Sequence, residues 1–305
     1  MMEFLDVKTD FAFKKVFGSK DSKDRLISFL NHLIYSDSAK KIKDLTIVDP
    51  YNLPMLKGVK DTYVDVKAVL DDDTTVIIEM QILNHPGFEK RVLYNAAKNY
   101  SLQLKKGEDY HLLNPVIALS IVDFEMFEEH DNVFSHFKLI EKEQFINYSD
   151  DIELIFVELP KFNKTLDELE NIKDQWLYFV KNSGSLEFIP KDFNSDIQGA
   201  LEVVNEASMT IEELEVQHKR QEFIYIQRTS LELAKTQGLK QGIKQGIEQG
   251  IEQGLEQGLE QGLEEGKKVG IIGMFKMGVD VEKIADYFKI TVDEINAILE
   301  NKKDK

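Results

Sequence analysis

Two short runs, TYVDVKAV from Thr62 and TVIIEMQI from Thr75, each carry a carboxylate within an otherwise apolar alternating pattern. In the first, Val64, Val66 and Ala68 alternate with Tyr63, Asp65 and Lys67. In the second, Val76, Ile78, Met80 and Ile82 alternate with Ile77, Glu79 and Gln81. Strand side chains repeat with period two, so Glu79 and Gln81 share a face. A carboxylate on each of two neighbouring strands, with a polar group two residues on, suits a divalent-metal phosphodiesterase site. The carboxylates hold Mg²⁺ (or Mn²⁺), and the third group positions or polarises the attacking water. A hairpin that merely points two acids at solvent has the same pattern, and register separates the two readings. Directly opposed residues share a face, so Asp65 joins Glu79 or Gln81 only across a loop of odd length. The site reading therefore predicts a three- or five-residue turn, or a bulge, around Asp71–Thr74.

The segments around this hairpin carry a resemblance. FLDVKTDFAFKKVFGSKDSKDRLISFLNHLI from Phe4, then DVKAVLDDDTTVIIEMQ, then KRVLYNAAKNYSLQLKKGEDYHLLNPVIALSIVDF, resemble in that order the Rpn family of recombination-promoting nucleases. That family, also described as transposases, belongs to the PD-(D/E)XK nuclease superfamily. The resemblance covers roughly the first two-thirds of the chain. It implies a metal-dependent DNA endonuclease acting on double-stranded DNA, with Asp65 and Glu79 as metal ligands. Gln81 then stands where the superfamily usually has lysine, and Lys67, on the Asp65 face, is a candidate to supply the missing charge. Asp10 in TDFAFKKVFG matches an N-terminal acidic position of the family and is a further candidate ligand, or else caps the helix that follows.

Net charge is −17 over 305 residues, unfavourable for a protein that must approach phosphates. The excess is uneven. Residues 1–105 carry 16 Lys+Arg against 15 Asp+Glu, residues 106–199 carry 8 against 20, and residues 200–305 carry 14 against 20. The hairpin thus lies in the one neutral third. Lys14, Lys15, Lys20, Lys23 and Arg25 offer a local basic surface, with Lys14 and Lys15 the candidates for DNA phosphate contacts. Arg91, on a helix after the hairpin, is a third phosphate candidate, and Tyr94 lies one turn further on. A solvated face or a surface salt bridge is the ordinary alternative for each. None of the six His has catalytic spacing, and His85, before Pro86, reads as a loop residue. Cysteine is absent, which excludes disulfides, thiolate ligands and a thiol nucleophile. No apolar run reaches membrane-spanning length and the N-terminus lacks a signal-peptide core, so a cytoplasmic protein is expected.

Helices are expected over DFAFKKVFG, DRLISFLNHLIY and GFEKRVLYNAAKNYSLQL, the last with Val92, Leu93, Ala96, Ala97 and Tyr100 on its apolar side. KIKDLTIVDP and IELIFVELPKF read as strands, NPVIALSIVDF as a buried central strand, and Thr165 to about Glu232 as mostly helical. This is an α/β order: a PD-(D/E)XK restriction-endonuclease-like core with a mixed central sheet flanked by helices, plus a C-terminal helical extension. The domains expected are 1–232 for the nuclease-like core, 233–270 for a repeat, and 271–305 for a small helical, helix-turn-helix-like segment.

In the repeat, Gly238 to Gly270 recur every fourth residue, separated mostly by Leu or Ile, then Lys or Glu, then Gln. Each Gly costs a helix about 1 kcal/mol relative to Ala. The segment is therefore either a flexible linker or a helix stabilised by another copy, and a homo-oligomer is the expectation adopted. The last helix offers Asp293, Glu294 and Asn296, a poor set for reading bases, so packing or protein contact is favoured there. Two alternatives to an enzyme stand beside this reading: a catalytically silent nuclease-like binding protein, and an oligomeric interaction protein.

Overall fold

The computed structural model describes residues 2–36, 38–52 and 62–300. Helix α1 (Asp10–Phe17) begins behind Thr9, whose hydroxyl accepts the Ala12 amide at 3.3 Å. It buries Ala12, Phe13, Val16 and Phe17. Helix α2 (Lys23–Leu33) adds Leu26, Phe29, Leu30 and Leu33 at helical spacing. Strand β1 (Leu45–Val48) follows, then the two-stranded β2 (Tyr51–Asn52) and β3 (Thr62–Tyr63), then the hairpin β4 (Val66–Leu70) and β5 (Thr75–Gln81). Helix α3 (Phe88–Ser101) leads to β6 (Val116–Val122), β7 (Phe134–Ile140) and β8 (Asn147–Glu158). The rest is helical: α4 (Ile172–Asn182), α5 (Ser195–Val203), α6 (Ile211–Lys276), α7 (Val281–Phe288) and α8 (Val292–Glu300).

Six strands form a mixed sheet in the order β1-β4-β5-β6-β8-β7. The β1, β4 and β5 pairings are antiparallel, β5, β6 and β8 are parallel, and β7 returns antiparallel on β8. All seven residues of β6 are buried, as a strand covered on both faces requires. One face, with Val76, Ile78, Leu119 and Val157, joins α1, α2, α4 and α5 around Trp176, Phe17, Phe29 and Phe179. The other, with Ile77, Ala118 and Val122, joins α3 through Phe88, Val92 and Ala96. This is the α/β/α sandwich expected.

Three local features differ from the sequence reading or were not legible in it. Helix α3 buries Val92 and Ala96, but Leu93 and Ala97 face solvent and Asn95, Lys98 and Asn99 are buried instead. The helix is turned so that a polar row, Arg91, Asn95 and Asn99 at i, i+4 and i+8, points inward, which hydrophobic spacing alone does not reveal. Strand β7 carries His136 and Lys138 within its run and exposes Phe137, Leu139 and Ile140, so its edge position hides the alternation. The repeat is part of one helix, α6, that begins at Ile211.

The chain divides into two compact units, Met1–Arg228 and Thr229–Lys305. In the second, Ile271, Ile284, Ala285 and Ile295 form a small core. Gly270 lets Phe288 pack closely there, because a β-carbon would lie 2.9 Å from the tip of that ring. Thr291 and Glu294 form a reciprocal cap of α8, with amide bonds of 2.8 and 3.3 Å. Along the repeat, Leu239, Ile243, Ile247, Ile251, Leu255, Leu259 and Leu263 are all exposed. No helix among the described residues is long and apolar enough to cross a membrane.

Candidate active site

The hairpin loop has three residues. Leu70 donates its amide to Thr74 at 2.9 Å across Asp71, Asp72 and Asp73, and Asp73 takes the left-handed conformation (φ 65°). An odd loop sets the register Val66↔Ile78 and Lys67↔Ile77, and extending it one residue places Asp65 opposite Glu79. At that point the ladder slips. The Asp65 amide bonds Ile78 O at 3.0 Å, one residue out of register, and the chain bends. Val64 consequently lies in the α3-side core while Val66 lies in the α1-side core. This is a β-bulge, a device that re-aims a side chain at a strand end.

Two helices from opposite layers each deliver one cation here. Lys14, in the last turn of α1, places Nζ 3.1 Å from Asp65 Oδ1, while Asp65 Oδ2 accepts the Met80 amide at 2.8 Å. Arg91, in the first turn of α3, pairs through Nη2 with Glu79 Oε1 and donates to Gln81 Oε1 at 2.7 Å. Its guanidinium carbon lies 5.1 Å from the Phe88 ring centroid, a cation–π contact that fixes its plane. The Gln81 amide is held at its other end too, with Nε2 donating to Leu83 O at 2.6 Å. Arg91 Nε is buried without a hydrogen-bond partner among the described residues.

Burial dominates the electrostatics. It pushes the Asp65 carboxyl above its ordinary value, against the Met80 amide and the Lys14 charge, with the Asp10 charge adding to the rise. Glu79 is pushed up to about 7 by burial, against Arg91 and with the Asp65 charge adding. Glu79 thus senses the Asp65 charge, and the two cations beside the carboxylates do not fully offset their desolvation.

Of the other candidates, Asp10 is the first residue of α1 rather than its cap, and its carboxylate pairs with Arg220 of α6 at 3.3 Å. Lys15, next to Lys14 in sequence, turns away to Glu213. Lys67 lies between Val48 and Ile77 of the adjoining strands; burial lowers its pKa and the charge opposing that is Asp49's. Tyr94 is exposed. His85 is an exposed loop residue whose carbonyl accepts the Phe88 amide at 3.1 Å. Sequence reading picked out Asp65, Glu79, Gln81 and Arg91, which meet; it missed that Lys14 reaches Asp65, because that contact joins an N-terminal helix to a distant strand.

Among the described residues, no group of three or more His, Asp or Glu side chains is arranged to hold a metal ion. Asp65 and Glu79 make a two-carboxylate set. Mg²⁺ suits such a set, since it keeps several waters and takes one or two carboxylates together with substrate phosphates. Hard oxygen donors whose negative charge is under-compensated fit a divalent cation.

No curated protein and no solved structure matches the chain. A family model described as PD-(D/E)XK nuclease family transposase matches residues 7–234 of the 305. Its span takes in the mixed sheet, the hairpin and both helices that supply cations to it, and the chain belongs to that nuclease family.

Proposed function

We propose that this protein is a Mg²⁺-dependent (or Mn²⁺-dependent) endonuclease that hydrolyses phosphodiester bonds of double-stranded DNA, in recombination or mobile-element biology. Asp65 and Glu79 hold the metal, which supplies Lewis-acid charge stabilisation when bound. Water adds to phosphorus as the bond to the departing sugar oxygen breaks; the water proton passes to solvent and the departing oxygen takes one up. Arg91, whose side chain is 40% exposed beside Glu79, receives a phosphate oxygen. Gln81 holds Arg91 in place. The observation that carries the reading is the pair of carboxylates at the bulge, close enough for one charge to act on the other and buried enough to raise both. Metal-dependent nicking of supercoiled plasmid, lost in Asp65→Asn and Glu79→Gln, is the test.

One observation favours a second reading, a catalytically silent DNA-binding relative. Both ends of the Gln81 amide are already engaged, so it has little left with which to orient water. The same plasmid assay separates the readings, because a silent protein binds DNA without nicking it.

The repeat is proposed as a surface for self-association. Eight of its glycines, Gly238 to Gly266, would meet nothing within 4 Å if given a β-carbon, so nothing among the described residues requires them. Close approach of a second helix would. A pair would bring two single-strand cutters to one duplex.

A further inference from the structure

The site lacks a lysine on β5, and hydrolysis of a phosphodiester needs positive charge where negative charge develops on the phosphate oxygens. Three cations are candidates. Arg91 is shared between Glu79 and Gln81. Lys67 is opposed by the charge of Asp49. Lys14 meets the site itself, 3.1 Å from Asp65.

We infer that Lys14 is the catalytic ammonium of this site, delivered from α1 instead of from the strand that carries Glu79. This rests on the nuclease reading above and adds to it the residue that stabilises the transition-state charge. Geometry supports it in three ways. First, α1 is immobilised: Ala12, Phe13, Val16 and Phe17 are fully buried, so Lys14 is held at a fixed height above Asp65. Second, the backbone behind Lys14 is closely packed. The Gly18 amide bonds Lys14 O at 2.7 Å, and a β-carbon at Gly18 would come within 2.9 Å of that oxygen. Third, an ammonium has three donors, and Lys14 engages Asp65 with one while 45% of its side chain stays exposed. Donors therefore remain for a substrate oxygen beside the carboxylate. Lys15 shows that the position is selective, since the adjacent lysine turns to Glu213. Lys14 transfers no proton in this role; it contributes charge and a hydrogen bond.

The test uses the full chain with Mg²⁺ and supercoiled plasmid, under single turnover at saturating protein, with DNA affinity measured separately in Ca²⁺. Lys14→Gln is expected to slow nicking by about 10²–10³-fold, the scale of losing one oxyanion donor, while DNA affinity and melting temperature change little. Lys219→Gln, which removes an equal charge from an exposed pair with Glu215, should leave the rate unchanged. Adding Gln81→Lys to Lys14→Gln should restore at least about tenfold of the loss, because it returns an ammonium to the same carboxylates from β5. A merely structural role for Lys14 would not be rescued from another strand. If Lys14→Gln nicks within about threefold of the parent, if its loss lies wholly in DNA affinity, or if the double variant shows no rescue, the assignment is overturned. A parent protein that does not nick at all overturns the nuclease reading, and this role with it.

Discussion

The hairpin site and the glycine repeat are both patterns of strict period, yet they are satisfied in opposite ways. At the hairpin, each carboxylate has a cation in contact: Lys14 on Asp65 and Arg91 on Glu79, brought from helices on opposite layers. What remains unmet is charge, which under the proposed function a divalent ion would supply. Along the repeat the charged side chains form local ion pairs such as Lys244 with Glu248, but seven Leu and Ile side chains are exposed, and among the described residues the glycine positions from Gly238 to Gly266 meet nothing within 4 Å. The first pattern is largely completed by its own fold, whereas the second leaves its apolar stripe uncovered, as the proposed self-association requires.

The largest effect that could break this contrast is a change of assembly state. Sedimentation of the intact chain is expected to give a dimer or larger species at micromolar concentration. A form ending near Lys235 should run as a monomer. If both run as monomers, the repeat is a linker and the contrast collapses.

A substitution within the repeat sharpens the same point. In a lone helix, replacing Gly246, Gly250 and Gly254 together by Ala should stabilise by about 1 kcal/mol each. If those glycines instead admit a second backbone, the triple variant gains monomer helicity by circular dichroism and loses association. Gain in both would show that the glycines serve no contact.

Next in size is the pH response of the hairpin. Glu79 has an ordinary value of 4.5 and is raised to about 7 in the fold. Between those values the folded chain binds more protons than the unfolded one, so its contribution to stability is fully present below pH 4.5 and is lost as pH rises through about 7. Glu79→Gln removes that dependence. It should stabilise the protein by roughly 1–3 kcal/mol at pH 8 and change little at pH 4.5, read by chemical denaturation without metal. Metal binding requires the ionised form, so nicking should fall about tenfold per pH unit below 7. A flat profile between pH 5.5 and 7.5 contradicts the assignment.

The smallest expected effect is at Lys67. With its charge opposed by Asp49, Lys67→Ala should slow nicking by no more than about threefold. A loss as large as that of Lys14→Gln would move the catalytic ammonium to β4.

Much of the scaffold was legible from periodicity. Alternation in β4 and β5, the apolar run of β6 and the helical spacing of α2 each bury side chains on faces that a period of 2 or 3.6 defines. The odd loop followed from requiring two carboxylates on one face. What periodicity missed was polar. Helix α3 turns a row of Arg91, Asn95 and Asn99 inward, and β7 disguises itself with exposed apolar residues at an edge. Lys14 and Lys15 are identical in local context, and only tertiary packing sends one to Asp65 and the other to Glu213. Asp10 invited reading as a cap or a ligand; Thr9 takes the cap, and the Asp10 carboxylate pairs with Arg220 while its charge reaches Asp65.

The central claim is that Asp65 and Glu79 hold a metal ion used to cut DNA. Its most direct test is conversion of supercoiled plasmid to open circles by the full chain with Mg²⁺, with Mg²⁺ plus chelator, and by Asp65→Asn and Glu79→Gln. The account predicts nicking by the parent with Mg²⁺ alone, and a loss of at least about 10³-fold in each variant while the fold is retained. Nicking that survives the chelator, or that persists in either variant, would contradict it.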